Sequence, residues 1–266
     1  AVPTAIAAGC DIFLFNKDLD EDIRFMKEGI ENGILKLERI DEAVTRILAM
    51  KAALKLPEKQ ADALLVPAKE ELAVLQAEKH VEWAKQAADN GITLVKDTAD
   101  NLPLRPEATP RLLLQVIGPY EEANTQITST VIPLLEKAGF RVTLYQPEDF
   151  TTGFECVSQF RSKYDAVLYL ANVENRSNAT TTRINWYTFF GQGNNIPWFV
   201  DEVPTVFASL GNPYHLMDVP MVKTYINTYD NHQAVIEALV AKILGKSDFK
   251  GVSPIDPYCG LMDARR

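Results

Sequence analysis

The histidines are the first side chains to test for chemistry, because imidazole is a common zinc ligand. His80, His215 and His232 stand far apart, without the helical or hairpin pairing that brings ligands together. The sequence also lacks the glycine-rich patterns of nucleotide sites and the Gly-x-Ser-x-Gly elbow of serine hydrolases. We therefore predict no bound metal and no cofactor.

The stretch from Ser209 to Tyr214 is the most unusual local pattern. A predicted strand ends in a Gly-Asn-Pro turn, and an aromatic-rich strand follows after a loop. In one interpretation Asn212, Tyr214 and His215 contact a ligand. In the other, the stretch is a packed strand–turn–strand element, because Gly, Asn and Pro are residues that turns favour.

Composition and charge argue against two kinds of partner. The 266 residues carry 27 basic and 36 acidic side chains, a net charge of −9, whereas nucleic-acid-binding proteins normally present a basic face. No apolar run approaches the length of a membrane span. Three widely spaced cysteines fit a reducing compartment better than a disulfide framework. We therefore expect a cytoplasmic protein that binds neither nucleic acid nor membrane.

The first 56 residues predict one short strand and two helices. The apolar run from Ile12 to Phe15 is too short for a helix, which indicates a buried strand. A helix should follow and end near Asn32-Gly33, with apolar residues on one side. A second helix is predicted by apolar residues at helical spacing, which are Ile40, Val44, Ile47 and Leu48.

A linker and the start of a connecting helix are predicted at residues 57–78. Pro57 ends the preceding helix, since proline disfavours the helical conformation in the residue before it. The connecting helix is expected to run from about Ala68 to Asn90. The predicted division is therefore residues 1–56, the linker 57–78 and a second domain at 79–266.

Residues 79–266 alternate strand and helix signals. Helical connections of this length favour right-handed crossovers, so the predicted fold class is α/β, a mostly parallel sheet with helices on both faces. Gly118-Pro119 is interpreted as a plain turn. Helices are predicted at 121–138 and 231–244, and strands at 92–95, 112–117, 141–145, 166–170, 205–209 and 222–229.

Several motifs, in order along nearly the whole chain, resemble glycoside hydrolase family 3. Residues 8–12 and 39–48 resemble the end of the family's catalytic (β/α)8 barrel, of which residues 1–56 would be the last strand and its helices. Residues 92–96 resemble the start of its α/β second domain. The later landmarks are residues 116–119, 209–214, 224–227 and 251–254. Lys96-Asp97 and residues 253–257 look more like the β-N-acetylhexosaminidase branch than the β-glucosidase branch.

The resemblance implies a retaining mechanism on a carbohydrate substrate. A carboxylate attacks the anomeric carbon, and a second group protonates the leaving oxygen and then activates water. In the family the nucleophilic aspartate lies in a barrel loop before the segment where this sequence begins, and the His–Asp acid/base pair of the hexosaminidase branch lies on an earlier loop. The chain alone is therefore expected to be inactive. Its expected partner is the remainder of the barrel, or a second copy, covering residues 1–56.

Glu174 is the one alternative catalytic candidate in this chain. It lies in the polar loop 172–185 with Arg176 and Arg183. The resemblance allows it to act like the acid/base glutamate that many family glucosidases supply from the second domain. The other interpretation is a solvated loop carboxylate. A β-glucosidase-type piece using Glu174, and a non-catalytic carbohydrate-binding module, are the alternatives to the hexosaminidase interpretation.

Asn16 and Arg183 are the candidate substrate-binding residues. Asn16 follows the predicted barrel strand at its carboxyl end, where barrel enzymes keep their sites. Its other interpretation is a cap of the next helix. Trp186 and Trp198 could stack on a sugar or pack in the core.

Overall fold

The computed structural model describes residues 1–146, 156–175, 182–186, 188–189, 192–193 and 195–265. The chain divides into two compact units, Ala1–Gln76 and Ala77–Arg266. The division falls within the predicted linker 57–78, and the functional partition into 1–56, 57–78 and 79–266 stays a prediction. Within the described ranges, no helix is both long enough and apolar enough to span a bilayer.

The first unit is built from helices. They are α1 (Val2–Ala7), α2 (Leu19–Glu31), α3 (Leu37–Ala53), α4 (Leu56–Ala61) and a 3-10 helix at Lys69–Gln76. Helix α2 starts at Asp18, whose Oδ1 accepts a hydrogen bond from the amide of Glu21 at 3.0 Å. It ends at Asn32, followed by Gly33 at φ +71. The two helices predicted from apolar spacing, α2 and α3, are confirmed.

The strand predicted at Ile12–Phe15 does not form, so that prediction is wrong for this chain. Residues 10–18 form neither helix nor strand, and Leu14 and Phe15 are 75% and 96% exposed. A strand needs a neighbouring strand to satisfy its backbone groups, and the described residues of the first unit contain none. The apolar pattern of a buried strand is therefore present without the partners that would bury it.

Two boundaries around the predicted linker also differ. Helix α3 ends at Ala53, and Pro57 lies in the first turn of α4, where the missing N–H of proline costs nothing. The helix expected from Ala68 to Asn90 is two pieces, the 3-10 helix and α5 (Glu78–Gly91), separated by Ala77 in an extended conformation. An alanine-rich window favours helix but does not determine where the helix starts.

The second unit is a six-stranded sheet. Its strands are β1 (Thr93–Asp97), β2 (Arg111–Ile117), β3 (Arg141–Leu144), β4 (Ala166–Val173), β7 (Thr205–Gly211) and β8 (Thr224–Asn227). The spatial order is β1-β8-β7-β4-β2-β3, and only β1 runs antiparallel to its neighbour. Two short strands, β5 (Thr188–Phe189) and β6 (Gln192–Gly193), form a separate antiparallel pair. The predicted mostly parallel sheet is confirmed.

Helices cover both faces of the sheet, as predicted. One face packs against α5, α6 (Glu121–Ala138) and α8 (Gln233–Ile243), and the other packs against α7 (Val157–Lys163) and the segments around Phe199 and Leu216. Helix α6 buries Ile127, Val131 and Leu135, spaced one turn apart. It ends at Gly139 with φ +108, a conformation that glycine adopts without steric cost.

The edge strand β1 is tied to the last described residues of the chain. The ammonium of Lys96 donates to the carbonyls of Ala264 at 2.8 Å and Pro220 at 3.2 Å. The hydroxyl of Tyr258 donates to the carbonyl of Val95 at 2.7 Å. Lys96 is buried, and this burial is the main reason that its pKa falls to about 8.

Candidate functional site

Polar residues gather at the carboxyl edge of the sheet in the second unit. Strands β2, β4, β7 and β8 are parallel, so their carboxyl ends lie side by side. In open α/β sheets this is the edge where ligands bind. We use the term carboxyl edge for the residues at and after these strand ends, which are Gly118, Asn124, Asn172 to Glu174, Gly211 to His215, and Asn231.

Glu174 is half-buried where β4 ends. Val173 pairs with Gly211 of β7, and Glu174 follows directly. A Cβ on Gly211 would lie 3.2 Å from both Cβ and Oε2 of Glu174, and Gly211 has φ +80. The glycine therefore allows the glutamate to lie against the end of β7. Arg176, predicted in the same loop, lies outside the described residues.

Arg183 forms an ion pair with Asp218. Its Nε and a terminal nitrogen both meet Oδ1 of Asp218, and the backbone N–H of Ile184 donates to Oδ2 at 3.1 Å. The Asp218 side chain is 7% exposed, whereas that of Arg183 is 58% exposed. The guanidinium is therefore held by Asp218 and remains accessible to solvent.

Ser209 and His215 form a buried pair. Oγ of Ser209 lies 2.6 Å from Nδ1 of His215, and Nε2 lies 2.8 Å from the carbonyl of Thr182. Because a carbonyl only accepts, Nε2 carries the hydrogen. Burial is the main reason that the pKa of His215 is lowered. Ser209 has 0% exposure, so no substrate reaches this hydroxyl and the pair fixes the chain locally.

The Gly-Asn-Pro turn is held by its own side chains. Oδ1 of Asn212 accepts from the backbone N–H of Tyr214 at 3.0 Å, and Asn212 is 8% exposed. The amide of Asn227 donates to the carbonyl of Pro213 at 3.2 Å. These contacts favour the packed strand–turn–strand interpretation for Asn212 and His215, while Tyr214 keeps 42% of its surface exposed.

Three asparagines at the carboxyl edge escaped the sequence analysis. Asn172 Nδ2 donates to Asn124 Oδ1 at 3.2 Å, and Asn231 Nδ2 donates to Asn172 Oδ1 at 2.8 Å. Asn124 Nδ2 in turn donates to the carbonyl of Gly118 at 3.0 Å. The available signal was their position, since Asn172 follows the predicted strand 166–170 and Asn124 and Asn231 lie in the first turns of predicted helices.

Asn16 lies in the first unit and is exposed. It is not the cap of α2, because Asp18 fills that position. Nearby, Asp11 meets Arg39 and lies 3.1 Å from a terminal nitrogen of Arg46, and these ion pairs lower its pKa, the Arg39 hydrogen bond most. The two barrel-like motifs, residues 8–12 and 39–48, are therefore in direct contact.

The tryptophans differ in exposure. Trp186 packs against the buried cluster on the α7 face of the sheet. Trp198 is 44% exposed and makes edge-on contacts with Phe160 and Phe199 at centroid distances of 5.8 and 5.4 Å. Trp186 is partly buried by this packing, whereas Trp198 presents part of its ring to solvent.

The part of the chain that the structure describes contains no group of three or more histidine, cysteine or carboxylate side chains arranged to hold a metal ion. The described polar groups at and beside the carboxyl edge include side-chain amides, the Arg183–Asp218 ion pair and the half-buried carboxylate of Glu174. Such groups donate to and accept from neutral hydroxyls, and amides and carboxylates of this kind can bind a sugar.

Comparison with known proteins gives a consistent picture, although no family model matches the chain. A β-N-acetylglucosaminidase/β-glucosidase from Cellulomonas fimi is 43% identical over 269 residues, covering 99% of this chain and 47% of the relative. The solved β-glucoside phosphorylase BglX is 40% identical with a TM-score of 0.79, covering 100% of this chain and 47% of the other. A family 3 β-N-acetylglucosaminidase from Paenibacillus sp. shares the fold at 20% identity and a TM-score of 0.60, covering 95% of this chain and 46% of the other.

These similarities and the strand order define an α/β domain of the glycoside hydrolases. The chain belongs to glycoside hydrolase family 3, and it corresponds to the C-terminal part of that fold. It spans about half the length of the relatives it matches.

Proposed function

We propose that this chain is part of a retaining β-glycosidase that removes terminal N-acetylglucosamine-type sugars from a carbohydrate. The observation that supports this most directly is 43% identity, over 99% of the chain, to the Cellulomonas fimi β-N-acetylglucosaminidase/β-glucosidase. Identity at this level along the whole chain favours shared chemistry as well as a shared fold. Because that relative is also named for β-glucosides, a glucoside is the alternative substrate.

The nucleophilic carboxylate lies, in this proposal, on the barrel outside these 266 residues. The chain supplies the closing helices of the barrel and the second domain, and the carboxyl edge forms one wall of the substrate site. Arg183 is the candidate substrate contact of the second unit and Asn16 that of the first, and Glu174 is the acid/base alternative. The coverage of 47% of each of two relatives supports a division of this kind.

The remainder of the barrel is, in this proposal, the partner of the first unit. Ile12, Leu14 and Phe15 are 51%, 75% and 96% exposed, and the backbone around them forms no strand. Burying three such side chains would contribute several kcal/mol at about 1.5–3 kcal/mol each. Neighbouring barrel strands would supply both the apolar cover and the missing backbone hydrogen bonds.

A second candidate activity is phosphorolysis. The observation that favours it is 40% identity and a TM-score of 0.79 to a β-glucoside phosphorylase. In that reaction a phosphate oxygen, instead of water, attacks the anomeric carbon of the glycosyl-enzyme. The new C–O bond gives a glycosyl phosphate, and the enzyme carboxylate leaves with its electron pair. The overall charge and atoms balance with phosphate as the only co-reactant.

The deciding experiment compares the chain alone with the enzyme that joins it to the rest of the barrel. Each is incubated with 4-nitrophenyl N-acetyl-β-glucosaminide and the matching glucoside, with and without inorganic phosphate. We expect no turnover by the chain alone, since a double-displacement mechanism requires the nucleophile. Robust turnover by the purified chain alone, or none by the joined enzyme, would overturn the proposal. A sugar phosphate product would identify the phosphorylase, and a free sugar the hydrolase.

We also propose a reducing compartment, the cytoplasm. All three cysteines, Cys10, Cys156 and Cys259, are free and exposed, which would favour unwanted cross-linking in an oxidising environment.

A further inference from the structure

The chain reverses direction across the sheet between β2 and β4. From β2 the next strand, β3, is added on one side, and β4 and β7 are then added on the other. Such a switch point normally leaves a crevice at the carboxyl ends of the two strands, and that crevice is the usual ligand site of open α/β sheets. In this protein the crevice lies between Ile117, the end of β2, and Asn172 of β4.

Three asparagine side chains cross this crevice in a directional chain of hydrogen bonds. We call Asn124, Asn172 and Asn231 the asparagine relay. Asn231 donates to Asn172, Asn172 donates to Asn124, and Asn124 donates to the carbonyl of Gly118. Asn172, at the centre, is 2% exposed. Hydrogen bonds aligned in one direction polarise one another, so the chain is stronger than its separate links.

Gly118 shows how closely the crevice is filled. A Cβ at this position would lie 2.6 Å from Asn124 Oδ1 and 2.6 Å from the carbonyl oxygen of Asn172. There is no room for one further carbon atom beside the relay. At Gly118 the space beside the asparagine relay is therefore filled by the protein's own atoms, which connect the ends of β2 and β4.

The relay holds the strand end that carries Glu174. Asn172 lies in β4, Val173 ends that strand, and Glu174 follows. On its β7 side Glu174 lies close to Gly211, where a Cβ would approach its Oε2 to 3.2 Å. The backbone of Glu174 thus continues from the strand that Asn172 helps to hold, and its side chain lies in the space that Gly211 leaves.

We propose that Asn172 is a positioning residue for substrate binding, which acts by fixing the β4 end so that the Glu174 carboxylate accepts hydrogen bonds from sugar hydroxyls. This inference rests on the proposed function. A carboxylate that binds a neutral hydroxyl in the ground state and the transition state alike affects KM more than kcat. Loss of the relay therefore weakens substrate binding without removing a chemical step.

The test uses the joined enzyme, 4-nitrophenyl N-acetyl-β-glucosaminide and the substitutions Asn172→Ala and Arg111→Ala. Arg111 connects the same two strands at their amino ends, where its Nε lies 2.9 Å from Oδ2 of Asp165. Both substitutions lower the Tm. We expect Asn172→Ala to raise KM about fivefold or more with kcat within about twofold, whereas Arg111→Ala leaves KM unchanged. Asn172→Asp keeps the acceptor for Asn231 and should give an intermediate KM.

Equal KM values in the Asn172→Ala and Arg111→Ala enzymes would overturn the inference. Amide hydrogen exchange gives a readout that does not depend on activity. Asn172→Ala should speed exchange at Val173 and Glu174 relative to wild type, and Arg111→Ala should not. If the wild-type enzyme cleaves no glycoside but amide exchange follows this pattern, the proposed function is wrong, and the asparagine relay stabilises the end of β4 without a role in substrate binding. Unchanged exchange in Asn172→Ala would overturn the relay itself.

Discussion

The ammonium of Lys242 lies 3.0 Å from Oδ1 of Asp89 and joins α8 to α5. The Lys242 side chain has 0% exposure, and its other hydrogens go to Ser247 Oγ at 3.2 Å and the carbonyl of Asp248 at 2.6 Å. All three ammonium hydrogens therefore have acceptors. The pKa of Asp89 is lowered to about 2, mainly by the hydrogen bond from Ser247 and secondly by that from Lys242.

Replacement of Asp89 by Asn should destabilise the second unit, because it leaves the buried ammonium without its counter-charge. We expect the free energy of unfolding to fall by about 3 kcal/mol near neutral pH, measured by urea denaturation. Lys250→Ala is the matched control, since Lys250 lies 3.3 Å from the same carboxylate but is 59% exposed. Its effect should stay below about 1 kcal/mol. Equal losses in the two variants would contradict this account.

The contribution of Asp89 should disappear in acid. Its pKa of about 2 in the folded state is below the ordinary value of 3.8. A carboxyl with a lowered folded pKa adds stability that is complete above the unfolded pKa and is lost as pH falls towards the folded value. The difference in unfolding free energy between wild type and Asp89→Asn should therefore narrow between about pH 5 and pH 2. A difference in unfolding free energy that stays constant from about pH 5 to pH 2 would contradict this role of the Asp89 carboxylate.

Gly118→Ala should destabilise the second unit by about 1–3 kcal/mol, because its Cβ would overlap two oxygen atoms of the relay, one of them on the backbone. Gly91→Ala is the control, since a Cβ there meets nothing within 4 Å. Thermal denaturation of both variants measures the difference. A Gly118→Ala protein as stable as the Gly91→Ala protein would show that the strand ends are free to move apart.

Glu174→Gln in the joined enzyme should change the rate less than about tenfold, because Glu174 binds sugar hydroxyls in this account and an amide still binds them. Loss of a general acid–base group would usually cost about 10²–10⁴-fold. Initial rates on the chromogenic glycosides give the measurement. Glu122→Gln, on the exposed first turn of α6, is the control. A hundredfold loss that azide restores would instead assign Glu174 as the acid/base group.

The isolated chain should associate through its exposed apolar segment. Leu14→Ser together with Phe15→Ser should reduce self-association in sedimentation and binding of a hydrophobic dye, because these side chains are 75% and 96% exposed. Val252→Ser is the control, since Val252 is 87% exposed but lies elsewhere in the chain. Unchanged self-association of the double variant would show that a different surface of the chain causes it.

Sequence patterns predicted the elements that depend on local signals. Helix α6 was predicted with its observed bounds, because its apolar residues recur every turn and Gly139 ends it. The prediction of a strand at Ile12–Phe15 was wrong for the opposite reason, since a strand depends on neighbouring strands and the described residues of the first unit contain none. The six strands of the main sheet were each placed within a few residues.

The carboxyl edge was predicted only in part. Glu174 and Arg183 were selected from one polar loop, but the partner of Arg183, Asp218, is 35 residues away in sequence. Asn172 is separated by 48 residues from Asn124 and by 59 from Asn231, so no local pattern connects them. Contacts of this kind follow from the strand order, which a single sequence does not specify. The roles of Glu174, Asn16 and Arg183 stay predictions.

The hydrogen bond from Lys96 to the carbonyl of Ala264 affects the order in which the second unit can fold during synthesis. Lys96 belongs to the first strand of the second unit, yet the carbonyls of Pro220 and Ala264 that its ammonium meets come 124 and 168 residues later, with the strand partner β8 between them. During synthesis, β1 leaves the ribosome before β8 and the two carbonyls that bind the Lys96 ammonium exist. Nearly the whole unit must be translated before these partners are present. The first strand of this sheet to be translated is thus the last to be completed, and until then its unpaired edge is open to aggregation.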